Sequence, residues 1–176
     1  MFRFVNGTIN ISLPGFGSVE GSWEPDERER DAAWELYVEL VTRIAVVELQ
    51  PGEGSLREAL TSLFSLFPTT RELLRKYGPV VGRPSGGSSI SLGYIAVTVL
   101  NYVLRPVLAK WHPLLLDYEN TRDPRVSQIE HESRWSSADE LRRTLNDVRS
   151  QLNEFADLLA TVADVPPLHG GATAQA

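Results

Sequence analysis

The sequence contains no cysteine, only one methionine and only two lysines, Lys76 and Lys110. The absence of cysteine excludes disulfides, thiolate metal sites and a cysteine nucleophile. The other cationic side chains are arginines, and they form no dense run of the kind that nucleic-acid binders show. The 176 residues carry a formal net charge of −6, and the amino terminus has no apolar leader. We therefore expect a cytoplasmic protein that binds no nucleic acid.

Residue patterns that carry common catalytic or metal chemistry are also missing. No Glu-x-x-His pair occurs, although di-iron helical bundles need such pairs on facing helices. Glu130, His131 and Glu132 are adjacent, but adjacent helical side chains diverge, so we interpret this segment as a solvated loop. No Gly-x-Ser-x-Gly elbow surrounds a nucleophilic serine. The sequence thus favours a protein that is not an enzyme, with no catalytic residue, no metal ligand and no cofactor.

Residues 1–13 have the pattern of a short β-hairpin. Asn6 and Gly7 form the favoured pair for a two-residue type I′ turn. A lone hairpin is marginal in water, so its apolar face is expected to pack on the rest of the chain. The turn predicts a register that pairs Phe2 with Ile11 and Phe4 with Ile9 on one face.

Four amphipathic stretches within residues 25–165 predict four long helices. The second and fourth open with capping boxes, in which a serine is followed three residues later by a glutamate. The predicted helices begin near Pro25, Ser55, Ser89 and Ser137. The apolar stripe of the first continues to Ile44 and Val47, and the third is expected to be kinked near Pro106. The fourth has the clearest apolar stripe, made of Leu141, Leu145, Val148, Leu152, Phe155, Leu159 and Val162.

These elements predict one domain over residues 1–165, an all-α antiparallel four-helix bundle with a short N-terminal β-hairpin. The Gly-rich segment 14–23 is expected to be a connector, and so is segment 120–136. Residues 166–176 begin with two prolines and are rich in small side chains, which predicts a disordered tail.

The third helix contains the longest stretch without charge, residues 89–104. A membrane-spanning helix needs about 20 apolar residues, and extending this stretch would bury Arg105 and Lys110 along with two prolines. The sequence therefore predicts no stable membrane insertion. Nearly all side chains before Arg105 are aliphatic, so we expect this helix to be covered from at least two directions.

A narrow polar stripe interrupts this apolar helix and contains the candidate ligand or partner contacts, Tyr94, Asn101, Arg105 and His112. Its plainest interpretation is a satisfied polar network, with Arg105 paired to a carboxylate of another helix. The excess apolar surface favours a non-enzymatic protein-interaction module, an accessory or regulatory subunit. Its partner would be a second copy of the chain or a larger, unidentified protein. The alternative is a small-molecule-sensing or enzymatic bundle that uses the polar stripe.

Overall fold

The protein is represented by a computed structural model, which describes residues 2–5, 7–13, 17–43, 54–84 and 86–168. Within these residues the chain is mostly helical and carries an antiparallel hairpin at its amino end. The predominantly helical prediction is confirmed. Residues 169–176, most of the expected tail, lie outside the described residues.

The hairpin consists of β1 (Phe2–Val5) and β2 (Thr8–Leu13). Its register pairs Phe2 with Ile11 and Phe4 with Ile9, as the sequence predicts. Gly7 has a φ of 77°, which is the left-handed region that a type I′ turn requires.

A third strand, β3 (Gly17–Ser22), pairs antiparallel with β2 and completes a sheet of order β1-β2-β3. The expectation of a connector over residues 14–23 was therefore wrong for residues 17–22. The strand has a physical role, because the outer edge of β2 would otherwise leave its backbone N–H and C=O groups unpaired. Its glycines have no side chains, so the strand lacks the alternating apolar pattern from which a strand is predicted.

The long helices lie near their predicted positions. Asp26 caps the first, and the Ser55 side chain caps the second by accepting the Glu58 N–H. The helical segments are α1 (Glu27–Val41), α2 (Leu56–Tyr77), α3 (Leu92–Thr98), α4 (Arg105–Glu119), α5 (Gln128–Ser133) and α6 (Ala138–Val162). The first predicted helix was expected to continue to Ile44 and Val47, which lie outside the described residues.

Segments α3 and α4 are joined by a π-helical stretch, Val99–Leu104, into one continuous helix over Leu92–Glu119. We call it the central helix. The N–H of Arg105 reaches back five residues to the carbonyl of Leu100. This wider turn stands directly before Pro106, which has no N–H to donate. The helix therefore remains continuous through Pro106.

The core forms where the long helices meet under the sheet. Helix α1 packs on α2 and α6, and α2 packs on α4. Ile9 and Ile11 of β2 are fully buried, so the inner face of the sheet joins this core. All seven residues of the stripe predicted for the last helix are buried, which confirms its phase. The finer expectation was an antiparallel four-helix bundle, and neither α5 nor the third strand was part of that expectation.

Segment 120–136 is not simply a loop. Ser127 caps the short helix α5 by accepting the Glu130 N–H, and Glu132 within that helix is only 6% exposed. The interpretation of this segment as solvated was therefore wrong for Glu132. Glu130 remains exposed, as a solvated segment would have it.

Candidate functional site

Two grooves lie along the central helix where it faces α2. We call the first the Tyr94 groove; it has a volume of about 720 Å³ and lies beside the short 3-10 turn Gly78–Gly82. Its lining is largely apolar and includes Leu74, Tyr94 and Val97. Gly93 brings the helix close to this turn, since an added Cβ there would lie 2.9 Å from the Val81 carbonyl oxygen.

The second groove, which we call the Phe64 groove, has a volume of about 510 Å³. It lies further along the central helix, between α2 and α4. Its lining combines apolar and cationic side chains: Phe64, Phe67, Pro68, Arg71, Arg105, Leu108, Ala109 and His112.

The structure divides the four residues of the predicted polar stripe between the two grooves. Tyr94 and Asn101 line the Tyr94 groove, whereas Arg105 and His112 line the Phe64 groove. A hydrogen bond from Arg105 Nε to Asn101 Oδ1, at 3.0 Å, connects the pairs.

The buried ion pair expected for Arg105 is absent. Its side chain is exposed, and within the described residues no carboxylate pairs with it. The guanidinium carbon lies 5.2 Å from the centre of the Phe67 ring, a distance typical of a cation–π contact.

His112 belongs to a polar cluster at the far end of the Phe64 groove. Arg57 donates through Nε and Nη2 to the Glu119 carboxylate, and its Nη1 lies 2.9 Å from His112 Nδ1. Because a guanidinium can only donate, Nδ1 accepts, and the neutral ring carries its proton on Nε2. Burial and the nearby Arg57 charge both lower the pKa of His112, which favours this neutral form.

Two buried carboxyl groups lie apart from the grooves and serve the fold. Glu29 accepts hydrogen bonds from the Trp23 indole N–H and the Leu92 backbone N–H, and Glu132 accepts one from the Leu56 backbone N–H. Burial raises the pKa of both glutamates. Each one satisfies the first N–H of a helix, so their perturbed pKa values have a structural explanation.

Large apolar side chains are exposed along the central helix. Of nine such side chains in the described part of the chain, five lie on it: Tyr94, Val97, Tyr102, Leu114 and Leu116, each 41–51% exposed. By length and composition this helix could cross a membrane, but half of its most apolar window is buried inside the fold. A core helix of a soluble protein can have the same length and apolar composition.

Sequence reasoning missed Arg57, Glu119, Arg71 and Phe64. Phe64 and Arg71, which line the groove from α2, are seven positions apart, so the sequence alone predicts that they share one helix face. No sequence pattern indicates that this face lies opposite Arg105 and His112.

No family model, no curated protein and no solved structure matches this chain. Among the residues that the structure describes, no three His, Cys, Asp or Glu side chains gather where a metal ion could be held. The candidate site therefore rests on the geometry of the grooves and of the exposed helix surface.

Proposed function

We propose that this protein is a non-enzymatic interaction module that self-associates through its central helix. The observation that carries this proposal is the exposed apolar surface of that helix, from Tyr94 to Leu116. Exposed apolar side chains that occur singly are ordinary, but a concentration on one element is typical of an interaction surface. A role as an accessory or regulatory subunit is consistent with such a surface.

A second copy of the same chain is the occupant that we propose for this surface. The central helix has 28 residues and therefore extends about 42 Å at 1.5 Å per residue. A helix of this length can supply one side of a two-fold interface, in which both copies contribute the same patch. Lipid is a poorer occupant, because the charged side chains of Arg105 and Lys110 interrupt the apolar surface of the helix. The chain as a whole is also acidic.

We also propose that the four long helical elements form an elaborated antiparallel bundle. Packing of α1 on both α2 and α6, and of α2 on α4, supports this arrangement. In this view, the exposed side of the central helix is left for the second copy.

Light scattering coupled to size exclusion tests the proposed self-association. We expect a concentration-dependent dimer, and we expect Val97→Glu or Leu116→Glu to weaken it about tenfold or more, because either change would bury an unpaired charge. Circular dichroism would verify that each variant is folded.

Ile129→Glu is the matched control. Ile129 is 61% exposed but lies on α5 and not on the central helix. The proposal requires this variant to dimerise like the original chain. A protein that is monomeric at every concentration tested, or that loses the dimer equally in all three variants, would overturn it.

A further inference from the structure

The Phe64 groove concentrates positive charge in an acidic protein. Arg71 and Arg105 both line it, and among its described lining residues there is no carboxylate. The whole chain carries a net charge of −6. The local charge of the groove is therefore opposite to that of the molecule, which favours an anionic occupant.

The two guanidinium groups retain most of their hydrogen-bonding capacity. Arg71 makes no ion pair or hydrogen bond within the described part of the chain. Arg105 donates one hydrogen bond to Asn101 Oδ1, at 3.0 Å, and its guanidinium contacts the Phe67 ring. Since each guanidinium has five N–H donors in a planar fork, both can receive a planar anionic group.

The remaining walls of the groove are apolar and partly aromatic. The rings of Phe64 and Phe67 are 6.2 Å apart at an interplanar angle of 31°, and Pro68 and Leu108 extend the same surface. Phe64 is 56% exposed, so its ring is accessible to a ligand. A volume of about 510 Å³ falls within the roughly 300–1,000 Å³ that small-molecule sites occupy.

His112 forms the end wall and is held in place by its neighbours. Arg57 contacts its Nδ1, Glu119 holds Arg57, and the Phe64 ring meets the imidazole edge-on with centroids 6.0 Å apart. Its Nε2 is enclosed and has no partner among the described residues. The ring is thus a fixed neutral surface, and the charge that would attract an anion comes from the two arginines.

We propose that the Phe64 groove binds a small aromatic carboxylate. Its carboxylate would lie between Arg71 and Arg105, and its flat apolar body would pack against Phe64 and Phe67. None of the residues that line this groove is among the five exposed apolar side chains proposed for self-association. The apolar walls favour such a molecule over a bare inorganic anion, and the planar guanidinium forks suit a carboxylate.

Titration calorimetry with 2-naphthoate as the probe tests this site, at a protein concentration where the chain is monomeric. The neutral analogue 2-naphthamide has the same ring system without the charge. We expect the carboxylate to bind about tenfold more tightly than the amide, because only the carboxylate makes charge-assisted bonds to the guanidinium groups.

Arginine variants locate the binding. Arg71→Gln and Arg105→Gln should each weaken 2-naphthoate binding about fivefold or more, with a smaller effect on 2-naphthamide. Arg75→Gln is the matched control, since Arg75 is an exposed arginine one turn further along α2 that does not line the groove. Phe64→Ala should weaken both probes through the loss of ring contact.

Three results would overturn the proposal. Equal affinity for the acid and the amide would mean that the groove is only an apolar patch. Equal losses in the Arg71, Arg105 and Arg75 variants would mean that binding follows overall charge. Displacement of 2-naphthoate by inorganic phosphate at similar concentration would mean that the aromatic body is not recognised.

Discussion

Glu29 of α1 accepts a hydrogen bond, 2.8 Å long, from the backbone N–H of Leu92, 63 residues later in the chain. Leu92 is the first residue of α3, whose initial N–H groups have no partner within the helix. The same carboxyl oxygen accepts from the Trp23 indole, 3.2 Å away. One buried glutamate thereby joins the end of the sheet, α1 and the start of the central helix.

The first prediction concerns this carboxyl group. Glu29→Ala should cost about 1–3 kcal/mol of unfolding free energy, because it leaves two buried donors unsatisfied. Glu29→Gln keeps an acceptor oxygen and should cost less. Denaturant unfolding of both variants measures the difference. Equal costs for alanine and glutamine would show that the hydrogen bonds do not matter.

The pH dependence of stability gives a second prediction from the same residue. Burial raises the pKa of Glu29 above its ordinary 4.5, so the folded state holds the proton more tightly than the unfolded state. The stabilisation is complete below the ordinary pKa and is lost as pH rises through the raised value. Relative to Glu29→Gln, the original chain should therefore lose stability as the pH rises above about 4.5 and through the raised pKa of Glu29. If the unfolding free energies of the original chain and of Glu29→Gln changed in parallel with pH, this expectation would be contradicted.

The third prediction concerns the contact between the sheet and the chain before the central helix. Gly21 of β3 lies so close to this segment that an added Cβ would be 2.5 Å from atoms of Ser89 and Ile90. Gly21→Ala should therefore cost about 1–3 kcal/mol as overpacking. Gly82→Ala is the control, since nothing lies within 4 Å of its added Cβ. Thermal unfolding should separate the two variants, and equal midpoints would argue against the close packing.

The fourth prediction tests the cluster around His112. Arg57→Met removes the cation that helps to lower the pKa of His112, while the Glu119 charge, which raises it, remains. The pKa of His112 should therefore rise toward 6.5, although burial still opposes ionisation. NMR titration of the imidazole measures this shift, with Arg75→Met as a charge-matched control. An unchanged pKa would mean that Arg57 does not contact the ring in solution.

The last prediction tests the phase of α6. Leu152 is 1% exposed, so Leu152→Ala should cost about 2–5 kcal/mol through lost contacts and a cavity. Asp147 is exposed on the same helix, and Asp147→Ala should change stability by no more than about 0.5 kcal/mol. Chemical denaturation of the two variants provides the comparison. Similar losses would show that the helix is rotated from the orientation described.

Local signals in the sequence determined much of the fold. The Asn-Gly turn fixed the register of the hairpin, since a two-residue turn leaves one pairing that places Phe2 opposite Ile11. The apolar stripe from Leu141 to Val162 determined the buried face of α6, because side chains three and four residues apart share a face. Both features depend on neighbours in the chain.

Only the tertiary structure decided which distant groups meet. The strand Gly17–Ser22 depends on backbone pairing with β2, and its glycines carry no side-chain signal. Glu29 and Glu132 are buried because each one meets the unsatisfied start of a remote helix. Arg71 and Arg105 line one groove because α2 packs on the central helix, and the turn before Pro106 sets the face that Arg105 presents. These contacts join residues far apart in the chain, so no local pattern encodes them.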